Sequence, residues 1–316
     1  MVYELSSKVA QRAAFGQALL DVGERDPRLV VLDPDVCCST QTHLFREKYP
    51  NRFYQIGIAE QNLVGIAAGL STVGFVPFVS AFAVFLTERA GDQIRNAIAH
   101  PRANVKLNGA YGGLPTGRGG ATHSAVEDIA VMRCLPNMTI LEPADATETV
   151  QCVNLAMQIE GPVYLRTVRC EVPTIFGADH EIVLGKAVKM SEGNDITIVS
   201  TGMMTAKAKA ACEILKAQGI KADHLHMPTI KPLDKEAIVA SAQKTGAVIT
   251  VENHSVIGGL GSAVCEVLSQ ECPTRVKRLG FQDIFLQCGD DEVLFSRYGM
   301  NTNEIVTAAI ILLDNH

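Results

Sequence analysis

Tryptophan is missing from this chain, and phenylalanine and tyrosine bring the aromatic content to only 5%. An aromatic residue inside a motif is therefore more informative than in an average protein. Cysteine occurs nine times but never as a C-x-x-C pair. That spacing offers neither a zinc site nor a redox dithiol. No signal peptide is visible, so reduced thiols in a cytoplasm are the expectation. No apolar run approaches the ~20 residues needed to cross a bilayer, which removes a membrane from the expected partners. Positive charge is not in excess either. The 28 Lys and Arg stand against 34 Asp and Glu, a net charge of −6, and this argues against nucleic acid as a main partner.

What the chain does have is length and an ordinary globular balance. Its 316 residues, 47% hydrophobic and 20% charged, are enough for two domains with proper cores. Helix and strand patterns alternate. A helical stretch at 12–22 leads to an apolar strand, Leu29-Val30-Val31-Leu32, and then to a polar segment over 37–42. In parallel α/β sheets the carboxyl end of a strand is where ligands are met. A strand over 75–78, a helix over 81–99, a strand over 105–107 and a Gly-rich loop over 109–120 follow. A helix over 126–133 and strands at 139–141 and 163–166 complete a first unit. After residues of mixed character, strands at 196–199, 222–226 and 247–251, with helices at 206–217 and up to 268, restart the pattern as a second α/β unit.

The stretch from Gln55 to Leu70 is the most informative. Leu63, Ile66, Ala67 and Leu70 recur at helical spacing, while Gly65, Ala68 and Gly69 leave the rest of that surface thin. A backbone or a flat ligand can approach it closely. Glu60 stands at the helix start, where an acid suits the positive end of the helix dipole. Taken alone, that role is sufficient to explain it.

Four segments in order carry a resemblance: Leu32-Asp33-Pro34-Asp35, the Glu60 helix, Ser80-Ala81-Phe82-Ala83-Val84-Phe85, and Gly119-Gly120-Ala121-Thr122-His123. Together they resemble the carboxyl-terminal half of transketolase, as encoded separately in split transketolases. The resemblance covers nearly the whole chain. It implies an α/β protein with a pyrimidine-binding thiamine-diphosphate domain at 1–178, a linker region at 179–193, and a transketolase C-terminal domain at 194–316. Both domains would have largely parallel central sheets. The Gly-Asp-Gly motif that opens the diphosphate and metal site of such enzymes is not found: Gly91-Asp92-Gln93 and Gly289-Asp290-Asp291 lack it. The resemblance therefore implies thiamine diphosphate with Mg2+ or Ca2+ held mainly by an N-terminal partner subunit, and a heterotetramer of the two chains.

By the same resemblance, Glu60 is the acid that hydrogen-bonds the cofactor's aminopyrimidine ring. Phe82 and Phe85 are its aromatic walls, although aromatics three residues apart more often mean core. Val36 resembles the apolar prop beneath the bent cofactor. Asp35 resembles a polar contact there, with a turn-forming Asp as the competing reading. His123 resembles the catalytic-site histidine at the donor sugar. Arg12 and Arg169 resemble phosphate anchors, whose planar donor forks suit an anion, and Ser39 a hydroxyl that assists them.

Two departures stand out. The position of an acid that reads a substrate hydroxyl holds Gly119, preceded by Arg118, and Tyr111 replaces a histidine near the substrate phosphate. A ketose of different stereochemistry, a branched sugar or another anionic tail becomes a reasonable substrate. The competing readings are a beta subunit of a 2-oxoacid dehydrogenase and a non-catalytic regulatory subunit. In the second unit, Glu252-Asn253-His254 with glycines 258, 259 and 261 looks like a phosphate loop but lacks a clean G-x-G-x-x-G. Subunit contacts are the role the family assigns to that domain. His100, His224 and His226 read as structural.

Overall fold

The computed structural model describes residues 3–114, 116 and 119–314. Seven strands make the first sheet, in the order Thr229–Lys231, Thr139–Leu141, Val163–Arg166, Lys106–Ala110, Val76–Phe82, Leu29–Asp33 and Phe53–Gln55. All are parallel except Thr229–Lys231, which runs antiparallel to Thr139–Leu141. That edge strand comes from far along the chain, between two elements of the second unit. The strands read as near-continuous apolar runs because helices cover both faces. Helix Glu60–Thr72 and helix Asp128–Cys134 bury Leu63, Val64, Ala67, Ile129 and Met132 on one side. Gln11–Arg25 and Ala146–Gln158 bury Phe15, Leu19, Val22, Cys152 and Val153 on the other.

A second sheet has five strands, in the order Arg275–Phe281, Ala247–Ser255, Ile196–Ser200, Ala222–His226 and Val188–Ser191. Only the last pairing is antiparallel. Met204–Ala217 and Thr302–Asp314 pack on one face, Lys235–Thr245 and Leu260–Glu271 on the other. The molecule is thus mixed α/β with largely parallel sheets, as the alternation of patterns leads one to expect.

A small antiparallel ribbon, Lys8–Ala10 with Glu171–Pro173, pairs Ala10 with Glu171. Antiparallel pairing sets the end of the first strand beside the start of the second, so Arg12, two residues after Ala10, and Arg169, two before Glu171, lie at the same end of the ribbon. One expected helix is different in form. The strand over 76–82 runs on to Phe82, and the segment after it forms two wide turns of π type, Phe85–Arg89 and Ile94–Ala99, around Gly91–Gln93. Among the described residues, no helix is long and apolar enough to cross a membrane.

Candidate active site

The carboxyl ends of the strands Leu29–Asp33 and Val76–Phe82 lead into the segments that carry the expected site residues. Asp33 ends its strand fully buried. Its carboxylate accepts hydrogen bonds from the Val36 amide at 2.6 Å and from the hydroxyls of Thr40 and Thr42 at 3.0 and 2.9 Å. Burial pushes this carboxyl up from its ordinary range. The effect is to fix the 33–42 segment, which carries Asp35, Val36 and Ser39. Asp35 turns the chain with φ at 74° and accepts a hydrogen bond from Gln55. This is the local role that an Asp in a turn supplies. Val36 is half-buried. Ser39 offers its backbone carbonyl to Arg12 at 3.3 Å, so these two expected anion-side residues are neighbours.

Glu60 is the first residue of its helix and is buried. Its side chain has one hydrogen-bond partner among the described residues. Arg89 Nη1 donates to Oε1 at 3.2 Å and to Oε2 at 3.3 Å. An open recess of about 530 Å3, lined by Ile58, Ala59, Gln61, Asn62 and Arg89, lies over the carboxylate.

The aromatic residues meet beside it. Phe82, at its strand end, and Phe85, in the first wide turn, have ring centroids 6.0 Å apart. Tyr111 packs on Phe82 at 4.3 Å, and the Arg169 guanidinium lies 5.8 Å from the Tyr111 ring. His123 meets Phe85 edge-on at 5.1 Å and Phe82 at 6.1 Å, with its Nδ1 hydrogen-bonded to the Thr122 hydroxyl at 2.8 Å. Phe85, in turn, carries the Arg89 guanidinium 4.2 Å from its centroid. Glu60, Arg89, Phe85, Phe82, His123, Tyr111 and Arg169 are therefore one chain of contacts.

Arg118 lies outside the described residues. Gly119 makes space for the histidine, since a Cβ there would sit 2.8 Å from His123 Cβ. An acid at this position would need the loop to move. The arrangement suits the ring expected of it: an acid at the edge of an aromatic cleft, held by a single exposed cation, is a donor set for a flat nitrogen heterocycle. It does not suit a metal. Among the described residues, no group of three or more His, Cys, Asp or Glu is placed to hold one.

The glycines at 259 and 261 have a packing role. The buried Glu252 carboxylate accepts from the amides of Leu260 at 2.6 Å and Gly261 at 2.8 Å, filling the helix start itself. A Cβ on Gly259 would overlap Glu252 Oε2. The place a phosphate would take on such a loop is occupied by the protein's own carboxylate.

Sequence reasoning missed Arg89 and the organising role of Asp33. Arg89 follows Phe85 by four residues, a spacing that hinted at a shared face. Nothing in the sequence reported its reach to Glu60.

The transketolase pyrimidine-binding domain matches residues 7–174, and the transketolase C-terminal domain matches residues 185–305. The 6-deoxy-6-sulfo-D-fructose transketolase subunit of Clostridium sp. (strain MSTE9) is 40% identical, over 94% of this chain and 92% of its own. An apulose-4-phosphate transketolase subunit of Phocaeicola vulgatus is 38% identical, over 96% of this chain and 98% of its own. A solved split-gene transketolase, described as an inactive beta4 tetramer, superimposes with a TM-score of 0.89 at 48% identity, covering 98% of this chain and 99% of that one. With both domains matched in the order of the two sheets, and relatives aligned over nearly their full length, this chain belongs to the transketolase family.

Proposed function

We propose that this chain is the C-terminal subunit of a two-subunit transketolase. It would move a two-carbon ketol unit from a ketose phosphate, or a related anionic ketose, to an aldose phosphate. Thiamine diphosphate would be bound between this chain and a partner subunit that supplies the diphosphate and metal site. The observation that supports the reading is the buried Glu60 carboxylate in a recess walled by Arg89, whose guanidinium lies over Phe85 of the Phe82–Phe85–His123 cluster. Bound thiamine diphosphate would supply a nucleophilic thiazolium carbon.

Each residue then has a task. Glu60 would hydrogen-bond the far ring nitrogen of the aminopyrimidine and so hold the ring in place. Phe82 and Phe85 would flank the ring, while Val36 and Asp35 would line the floor from the turn that follows the strand Leu29–Asp33. His123 is placed to hold or move a proton at the donor's hydroxyl and carbonyl end. Arg12 and Arg169, with Ser39, bind the anionic tail, and Tyr111 sets the position of Arg169 through its ring face.

Arg118 and Gly119 are the positions we associate with sugar choice. The relatives named for a sulfonated sugar and for apulose 4-phosphate support a substrate other than the ordinary pentose phosphates. The test is reconstitution of both subunits with thiamine diphosphate and Mg2+. Ketol transfer is expected, without oxidative decarboxylation of a 2-oxoacid. Glu60→Gln should lower kcat by roughly 100-fold or more with the subunits still assembled. Unchanged turnover in that variant would overturn the assignment.

A further inference from the structure

We propose that Arg89 is a displaceable cover of the pyrimidine recess, holding Glu60 until the cofactor's aminopyrimidine takes its place. The proposal rests on the reading of the site just given and adds a residue to it.

Arg89 closes the wide turn Phe85–Arg89. Such turns are rare and often occur at functional sites. Here the turn places its first and last residues together, with the guanidinium over the Phe85 ring at 4.2 Å. The same guanidinium reaches both oxygens of Glu60. An incoming aminopyrimidine needs the face of Phe85 and the carboxyl of Glu60, the two surfaces Arg89 covers. Both cannot be satisfied at once.

The contact is built to be given up. One nitrogen serves both carboxylate oxygens at 3.2 and 3.3 Å, instead of two parallel short bonds. The buried Arg166 of this chain shows the tight alternative, with Nε on Asp128 at 2.7 Å and Nη1 on Glu142 at 2.7 Å. The Arg89 side chain is 51% exposed and that of Glu60 is 5% exposed, so the arginine can return to water while the acid stays in place. The backbone need not follow. Gln61 Nε2 donates to the Arg89 carbonyl at 3.0 Å and pins it beside Glu60. In the cofactor-free chain, Arg89 spares Glu60 from being a buried, unpaired charge. During cofactor binding that ion pair must be broken, which weakens the measured affinity.

The experiment is isothermal titration of thiamine diphosphate into the assembled two-subunit enzyme with Mg2+. Arg89→Met should bind about three- to tenfold more tightly than wild type, since no half-exposed ion pair opposes the ring. Arg89→Gln, which stays polar but uncharged, should move in the same direction and covers the case of a poorly folded Met variant. A purely structural arginine would give weaker binding on removal. If wild type binds and both variants bind equally or more weakly, the covering role is wrong and the functional reading stands. If wild type binds no thiamine diphosphate, the functional reading itself fails and takes this proposal with it.

Discussion

Arg12 and Arg169 lie more than 150 positions apart in sequence, yet the ribbon that pairs Ala10 with Glu171 delivers both to one of its ends. Glu60 is held by Arg89 and not by either of them, and the proposed function gives them substrate binding and not the proton. Replacing either by alanine should raise KM for phosphorylated donors about ten- to a hundredfold, the worth of a charge-assisted hydrogen bond, with kcat nearly preserved. Steady-state kinetics on phosphorylated and unphosphorylated donors checks this. A fall in kcat at unchanged KM would place the arginines elsewhere in the reaction. Residues of this kind can be singled out from sequence because type and spacing within a motif survive in one dimension. Arg89 was not, because its meaning lies in a contact with Glu60, 29 positions upstream. Arg166 was hidden for the same reason. It is fully buried, and its partners Asp128, Glu142 and the carbonyl of Asn253 come from three separate segments.

At the scale of elements, apolar runs bounded by polar turns marked the central strands of both sheets, and the helix at Glu60 starts where expected. Short or edge strands such as Phe53–Gln55, Val188–Ser191, Thr229–Lys231 and Arg275–Phe281 were not read. The helix Ala146–Gln158 escaped, although its start was written in the chain. Asp145 caps it by accepting from the Glu148 amide at 2.9 Å, the D-x-x-E spacing of a capping box. The wide turns after Phe82 could not be read, since a helical apolar pattern does not distinguish π from α spacing over five residues.

The helix Leu260–Glu271 carries a prediction of its own. Burial pushes the Glu252 carboxyl at its start up to about 7, even though the Leu260 and Gly261 amides favour the charged form. The folded chain therefore keeps a proton that the unfolded chain releases near 4.5. That contribution is full below 4.5 and is lost as pH rises through 7. Denaturant unfolding of wild type and Glu252→Gln between pH 5 and 8 should show wild type losing roughly 2 kcal/mol against the variant. Parallel curves would mean Glu252 does not titrate in this window.

For the molecule as a whole, buried polar contacts tie the two sheets together. Arg166 ends a strand of the first sheet and donates to Asn253 of the second. Glu148, on a helix of the first unit, accepts from His226 on a strand of the second and from His180 between them, each at 2.8 Å. These partners hold its carboxyl down to about 2. His226 is structural in this sense. So is His224, on the same strand, which burial pushes down to about 3.

One large feature stays open. The helix Glu60–Thr72 leaves Gln61, Asn62, Gly65 and Gly69 exposed, flanked by Ile58 at 76% and Val73 at 71% exposure. A Cβ on Gly65 would meet nothing within 4 Å. If the cofactor is shared at Glu60, this face is where the partner's backbone comes close, and glycine is what permits that approach. Gly65→Leu should therefore leave the lone chain as stable as before, or more so by up to about 1 kcal/mol, because leucine favours a helix over glycine. It should nonetheless abolish assembly with the partner, and with it ketol transfer. Thermal melting of the single chain and sedimentation of the mixture separate the two effects. A variant that melts normally, assembles normally and turns over normally would show that the seam lies elsewhere.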